Sequence, residues 1–458
     1  MNGILRDLFD AIIDAFTTQK GFNAEFGKES SIASRWNKGF LISKHRRLTI
    51  RKSQENLLLV GPTGSGKTTK ILLKNLFLLK NSSMVVNDPS GELFAQSSGY
   101  LSQFFTIKVI NFSDSTSSSG YNIFSRIKKP NDVHKIVHIL IESTLNKGGS
   151  SDPFWSLAAT NFLTVLLRLL LQQPEEFRNM PNLIQLVNFF AAEPKKIDAM
   201  IAVTGDEKLI LDYKSLLATP EKTLQNIVAS AKTAIQLFDD PEISMTVSYD
   251  SINFDEFRKE PTVIFLRNAI SEQSYINVLN SIFFEQLYGH ILQRLPGNDE
   301  LNVYIILEES SSMFIKLLPL ALANCRKHRT ATLCCIQNPA QLKAFYRDQA
   351  ENITNNCVTK LFLPGLSAMD TLTEIESLSG KCIYKDEKTG TARVKPLVTI
   401  EEIRLLPENR TLILSGNHPI IKGRTSYFYR SRKYKRLAAI PPVELPGDIP
   451  YGPIPLLK

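Results

Sequence analysis

Gly61-Pro62-Thr63-Gly64-Ser65-Gly66-Lys67-Thr68 fits G-x-x-x-x-G-K-[ST], the pattern of a phosphate-binding loop. The short apolar run Leu57-Leu58-Leu59-Val60 precedes it and reads as a buried parallel strand. Thr69 through Leu79 follow, apolar enough for a largely buried helix. Strand, glycine loop and helix are what the chemistry requires. The glycines let backbone N–H groups turn inward around phosphates, and the helix N-terminus adds its positive end. The candidate nucleotide-binding residues are Gly61, Pro62, Thr63, Gly64, Ser65, Gly66, Lys67, Thr68 and Thr69. Lys67 is expected to reach the β- and γ-phosphates of ATP, and the Thr68 hydroxyl to hold Mg²⁺.

A chain of 458 residues exceeds one simple core, so two or three domains are expected. Hydrophobic content of 43% and charged content of 22% are those of an ordinary soluble globular protein. The net charge of +9 favours a polyanionic partner. The five cysteines contain no C-x-x-C pair, which fits reduced thiols in a cytoplasm. The longest apolar candidate for a membrane span, Phe162 to Leu171, is too short to cross and carries Arg168. No signal peptide is read at the N-terminus.

Leu5, Leu8, Phe9, Ile12, Ile13 and Phe16 recur at helical spacing with Asp7, Asp10 and Asp14 opposite. This amphipathic helix either packs on its own domain, docks to a partner, or lies on a membrane. Between Lys38 and Lys52 stand six Lys/Arg and no carboxylate, either a solvated stretch or a phosphate-contacting surface. Met84 to Asn87 reads as a strand ending at Asp88, with Pro89-Ser90-Gly91 as a turn, and Ile107 to Ile110 as another. A helix-rich stretch opens at Ser151-Asp152-Pro153-Phe154-Trp155. Strands return at Thr262–Leu266, Val303–Leu307, Ala331–Ile336, Thr359–Leu363 and Thr411–Leu414. The alternation predicts an α/β fold, a parallel sheet flanked by helices, with an inserted all-α domain. The expected divisions are 1–50 lead-in, 51–150 and 241–440 nucleotide-binding domain, 151–240 helical insert, and 441–458 Pro-rich tail.

Val303 to Leu307 ends in Glu308-Glu309. In P-loop ATPases the first carboxylate at such a place serves Mg²⁺ and the second orients the attacking water. Arg326 stands in a basic turn, and Gln337 at the end of the next strand points into the ligand crevice or is a loop amide. Lys422 to Arg436 is basic, with Tyr427, Phe428, Tyr429 and Tyr434 among the charges. Either Thr425 to Arg430 is a strand with core aromatics, or this stretch touches nucleic acid.

Taken in order, these elements resemble the TraG/TraD-like coupling ATPases of type IV secretion and conjugation. The matching elements are Gly61–Thr68, Asp88-Pro89-Ser90-Gly91-Glu92, Tyr121-Asn122, Asp152-Pro153-Phe154-Trp155, Glu308-Glu309, Arg326 and Gln337-Asn338-Pro339-Ala340-Gln341-Leu342. The resemblance implies a RecA-like motor, a hexameric ring, and ATP-driven passage of single-stranded DNA or a relaxase–DNA complex to inner-membrane components of the secretion channel. It also implies Glu309 as the water-orienting carboxylate, Gln337 as phosphate sensor, and Arg326 as a finger reaching a neighbour's ATP. The chain departs from the family at Glu308, where Asp is usual, and at Ser90, where Lys is usual. The family's N-terminal transmembrane helices also have no counterpart, so a cytoplasmic protein held peripherally at the inner membrane by a partner is expected. Two other readings stay open: a recruitment platform that barely hydrolyses, and a DNA pump of the FtsK/HerA kind.

Overall fold

Leu57 and Leu59 join one buried core cluster, Leu58 and Val60 the other, so this strand is covered on both faces. The same holds across the molecule. The computed structural model describes residues 23–145, 153–268, 270–385, 391–450 and 452–457. The expected helix Leu5–Phe16, and Ser151 and Asp152 ahead of the helical stretch, lie outside the described residues. In chain order the strands are β1 Leu57–Val60, β2 Ser82–Asn87, β3 Thr106–Asn111, β4 Thr262–Arg267, β5 Asn302–Leu307, β6 Thr330–Ile336, β7 Thr359–Phe362, β8 Lys381–Lys385, β9 Ala392–Pro396, β10 Arg410–Ser415 and β11 His418–Arg424. Nine form one sheet in the order β11-β10-β7-β1-β6-β5-β2-β4-β3, and β8 pairs with β9 apart from it.

The run from β7 to β3 is parallel throughout. The expected parallel sheet is corrected at one edge, where β10 pairs antiparallel with both β7 and β11. Strand β11 alternates between buried and exposed positions and so lacks a continuous apolar run. Its sequence signal is Gly416-Asn417, a two-residue link of hairpin type with Gly416 at φ +57°. The expected strand over Thr425–Arg430 does not form. The ladder ends at Arg424, and a 3₁₀ turn, Phe428–Arg430, leads into the helix Arg432–Ala438. Tyr434 of that helix is buried against Phe77, with ring centroids 6.1 Å apart.

One face of the sheet carries the helix that follows the glycine loop. Its first turns, Lys67–Leu72, are the wider π form, and it continues as α-helix Leu73–Leu78. Two lysines on it are buried. Lys70 Nζ donates to the carbonyls of Ser65 at 2.7 Å and Glu408 at 3.0 Å, and lies 4.6 Å from the Tyr427 ring centroid. Lys74 Nζ donates to the carbonyl and the hydroxyl of Ser426. The segment after β11 is thereby fastened along the phosphate-loop helix.

The opposite face carries the helix Gln273–Gln293 and, beyond it, a helical block. The block begins one helix earlier than expected, at Pro130–Leu145, and runs to Pro241–Ser248. Val133, Ile136, Val137, Leu140 and Ile141 bury the apolar side of that first helix, a helical spacing legible in sequence. One core cluster extends from the sheet face into the block. Among the described residues no helix is long and apolar enough to cross a membrane.

The Pro-rich stretch near the C-terminus is a strap across these layers. The Val443 amide donates to Ser98 Oγ, and Asp448 accepts from the Gly120 amide at 3.0 Å and Ser251 Oγ at 2.8 Å. Asn182 in the helical block donates to the Pro455 carbonyl and accepts from the Leu457 amide, both at 2.8 Å. A Cβ added at Gly99 would stand 1.9 Å from the Pro441 carbonyl oxygen, a backbone atom that cannot swing aside. Gly99→Ala is expected to lift the strap at a cost of about 1–3 kcal/mol. Urea unfolding should read that loss, and limited proteolysis should cut near residue 441 faster than in wild type. Unchanged cleavage would mean the strap accommodates the methyl group.

Candidate functional site

The glycine loop leaves β1 with Gly64 at φ +80° and Gly66 at φ +89°, conformations that a side chain resists. Lys67 Nζ folds back on the loop and donates to the carbonyls of Gly61 at 2.7 Å and Pro62 at 3.4 Å. The loop thus holds a cation over its own mouth and presents the start of a helix beneath it, a seat for a polyphosphate.

Thr68 Oγ1 donates to Glu308 Oε1 at 2.6 Å, joining the helix to the end of β5. The second oxygen, Oε2, is buried and has no hydrogen-bond partner. A carboxylate oxygen turned inward beside a threonine hydroxyl is the donor set a hard divalent cation takes. These residues therefore fit Mg²⁺. Burial pushes the Glu308 carboxyl up to about 7, and Asp88, Glu92 and Glu309 nearby add to the rise. Asp88 is also buried. It accepts from the amides of Leu93 at 3.2 Å and Phe94 at 2.7 Å in the first turn of Glu92–Leu101. Burial still lifts its carboxyl to about 6. Burial thus raises two carboxyls at the ends of adjacent strands.

Glu309 is held separately. Its Oε1 accepts from Ser311 Oγ at 2.7 Å, and its Oε2 from the Gln337 side-chain amide at 3.3 Å. Gln337 directly follows β6, the neighbour of both β1 and β5, so the sheet order itself brings it to Glu309. Gln341 closes the network. Its side-chain oxygen lies 3.0 Å from Ser311 Oγ and accepts from the Gln337 backbone amide at 3.3 Å, and Asn338 and Gln341 form a capping box on Pro339–Tyr346.

The structure therefore gathers Gly61 to Thr69, Glu308, Glu309 and Gln337 in one place. Arg326 is not with them. It follows the short helix Leu318–Asn324, before β6 begins, and pairs with Glu55 at 3.1 Å, ahead of β1. That is the opposite edge of the sheet from the glycine loop. Sequence reasoning missed Ser311 and the role of Gln341. It also missed Lys70, because an isolated lysine in a helix reads as solvent-facing. The buried side chain of Asn87 and the Nε of Arg267, at the ends of β2 and β4, lack hydrogen-bond partners.

A family model described as type IV secretory system conjugative DNA transfer matches residues 15–443. Protein VirD4 of Agrobacterium fabrum is 22% identical over 428 residues, covering 84% of this chain and 60% of its own length. The conjugal transfer protein TraG of Escherichia coli is 19% identical over 448 residues, covering 84% of this chain and 69% of its own. The chain spans about three fifths of the length of the VirD4 relatives. Among solved structures, the bacterial conjugative coupling protein TrwBdeltaN70 superposes with a TM-score of 0.70 at 18% identity, covering 88% of this chain and 92% of that one. Plasmid coupling protein TrwB in complex with ADP and Mg²⁺ gives 0.68 at 18% identity, with 89% and 94% covered. The fold is that of these coupling proteins, a RecA-like α/β sheet.

The Glu308 proton sets a stability test. The folded chain keeps it up to about pH 7, while an ordinary glutamate loses it near 4.5. Between those values the native state binds more protons than the unfolded state, so this group's contribution falls as pH rises. At pH 8 the ligand-free Glu308→Gln protein is expected to exceed wild type by about 1–3 kcal/mol in urea unfolding, with the gap closing toward pH 4.5. Added Mg²⁺ should stabilise wild type and leave the variant unmoved. Equal stability at pH 8 would mean Glu308 ionises there without cost.

Proposed function

This chain belongs to the type IV secretory system conjugative DNA transfer family, and we propose that it is an ATP-driven coupling protein that recruits DNA or nucleoprotein and feeds it to a type IV secretion channel. The observation that carries the reading is the convergence of Lys67, Thr68, Glu308, Glu309 and Gln337 on one edge of β1, β5 and β6. TrwB, similar in fold, has been solved with ADP and Mg²⁺ and with a non-hydrolysable ATP analogue, which supports ATP and Mg²⁺ as the ligands here.

In this reading Lys67 leaves the carbonyls of Gly61 and Pro62 for the β- and γ-phosphates. Thr68 and Glu308 would hold Mg²⁺, which when bound would neutralise charge on the phosphates. Glu309, fixed between Ser311 and Gln337, orients the attacking water and accepts its proton. Gln337, bonded to Glu309, reports on the γ-phosphate position. Turnover is slow. Glu308 carries one methylene more than the usual Asp, and its carboxyl must lose a proton retained to about pH 7 before it serves the cation. A displacement of about 1 Å in such a site costs on the order of 10²-fold in rate.

Arg326 stands on the far edge of the sheet, so it acts only on a neighbour's nucleotide, which requires a ring; the proposed state is a hexamer. The proposed location is the cytoplasmic face of the inner membrane, held there by secretion-channel components.

Lys67→Ala is expected to lose most nucleotide affinity. Glu309→Gln should bind ATP normally and lose about 10²- to 10⁴-fold in turnover. Single-stranded DNA should raise the wild-type rate in the same samples that light scattering shows to be rings. A chain that hydrolyses at one rate with and without DNA is a recruitment platform and not a translocating motor.

Arg326→Ala should bind ATP and lose about 10³-fold or more in rate. Mixed with Glu309→Gln it should recover activity, because one kind of interface in a mixed ring has both groups intact. If subunits demonstrably mix and no ratio restores activity, Arg326 is a partner of Glu55 and nothing more.

A further inference from the structure

Two basic stretches far apart in sequence, Lys38–Lys52 and Lys422–Arg436, meet in the fold. Between them lies a groove of about 730 Å³ whose lining includes Arg35, Trp36, His45, Arg46, Leu78 and Lys433. Leu78 ends the helix that begins under the glycine loop, so the groove lies roughly 18 Å along that helix from the candidate active site. Trp36 is 76% exposed at its rim, with the Arg35 guanidinium 4.5 Å from the indole centroid. A large aromatic so exposed gains nothing from the fold's own core.

The charges around it are poorly compensated. Of Arg35, Arg46 and Lys433, only Arg46 makes an ion pair among the described residues, with Glu29 at 3.9 Å, while elsewhere in the two stretches Lys52 pairs with Glu55 and Lys422 with Glu402. His45 is held below its ordinary pKa first by partial burial and then by Lys44, Lys74 and Arg46. Arg47 is different. It spends its donors on the carbonyls of Gly39, Lys38 and Leu78 and so belongs to the scaffold. From the C-terminal patch Lys433 lines the groove, while Tyr434 beside it is largely core.

We propose that this groove binds single-stranded nucleic acid, its phosphates taken by Arg35, Arg46 and Lys433 and one unpaired base stacked on Trp36. The proposal rests on the DNA-transfer reading above and gives the strand a place. Cations from both stretches with an exposed indole at the rim match a chain of phosphates carrying flat bases. A membrane surface would call for a protruding apolar face, and a single indole at the rim of a concave, charged cleft does not supply one.

The test uses the full chain and a short fluorescein-labelled oligo-deoxythymidylate, with binding read by anisotropy across a salt series. Trp36→Ala is expected to weaken binding about 5- to 150-fold, and Trp36→Phe to restore most of it. The triple variant Arg35→Ser, Arg46→Ser, Lys433→Ser should flatten the slope of log affinity against log salt by about two, at about 0.7 per phosphate contact on single strands. Nucleotide affinity, measured in each variant, should match wild type and so reports the fold. If wild type binds the oligonucleotide and both variants bind it equally well with an unchanged slope, the groove is idle and the DNA reading stands without it. If wild type does not bind at low salt, the groove and the DNA reading fall together. Wild type that instead sediments with phosphatidylglycerol vesicles through Trp36, with the oligonucleotide failing to compete, would make this a membrane face and overturn the proposal.

Discussion

Seven neighbouring strands run the same way, so their carboxyl ends share one edge, and the candidate phosphate-binding residues gather on that edge. The glycine loop leaves β1, Glu308 and Glu309 leave β5, Gln337 leaves β6, and Asp88 leaves β2. Parallel pairing alone makes these residues neighbours, although Gly61 and Gln337 stand 276 positions apart in sequence. The same constraint sends Arg326 to the far edge. A group on that side is useful to phosphate only if another copy of the chain presents its site there.

Most of the sheet could be read from sequence because strands buried on both faces are written as unbroken apolar runs. Leu57–Val60, Val263–Leu266 and Val303–Leu307 are of this kind. Strand β11 escaped because it sits at an antiparallel edge with one face partly exposed, which breaks the run. The site divides similarly. Lys67 and Thr68 follow from a local pattern, and Glu308 and Glu309 from a strand end. Ser311 and Gln341 do not, because the contact that joins them spans 30 positions and exists only once the chain has folded. Lys70 and Lys74 were illegible for the opposite reason: nothing local distinguishes a lysine that bonds buried carbonyls from one in water. The two basic stretches were each visible, but their meeting in one groove was not.

Function costs stability at this edge. Asp88 and Glu308 are acids taken out of water and held near neutrality, and Glu308 keeps one oxygen without any partner. A fold selected for stability alone would fill that place with an apolar or fully bonded side chain. The unpartnered oxygen suits a cation, and Glu308 and Glu309, though adjacent in sequence, are held by different partners, Thr68 for one and Ser311 with Gln337 for the other.

The placing of β1 has a consequence for how the chain acquires its structure. Its partners on both sides, β6 and β7, come from residues 330–362, so the strand that carries the glycine loop waits for contacts almost 300 positions away. Local helices of the block between residues 130 and 248 need no such wait. Contacts of that separation close slowly. The loop should therefore be among the last parts to become rigid, and nucleotide can have no hold on the early stages. Pulse-labelled hydrogen exchange during refolding would register this as late protection of the Leu58 and Leu59 amides; early protection there would show that the sheet assembles from its centre.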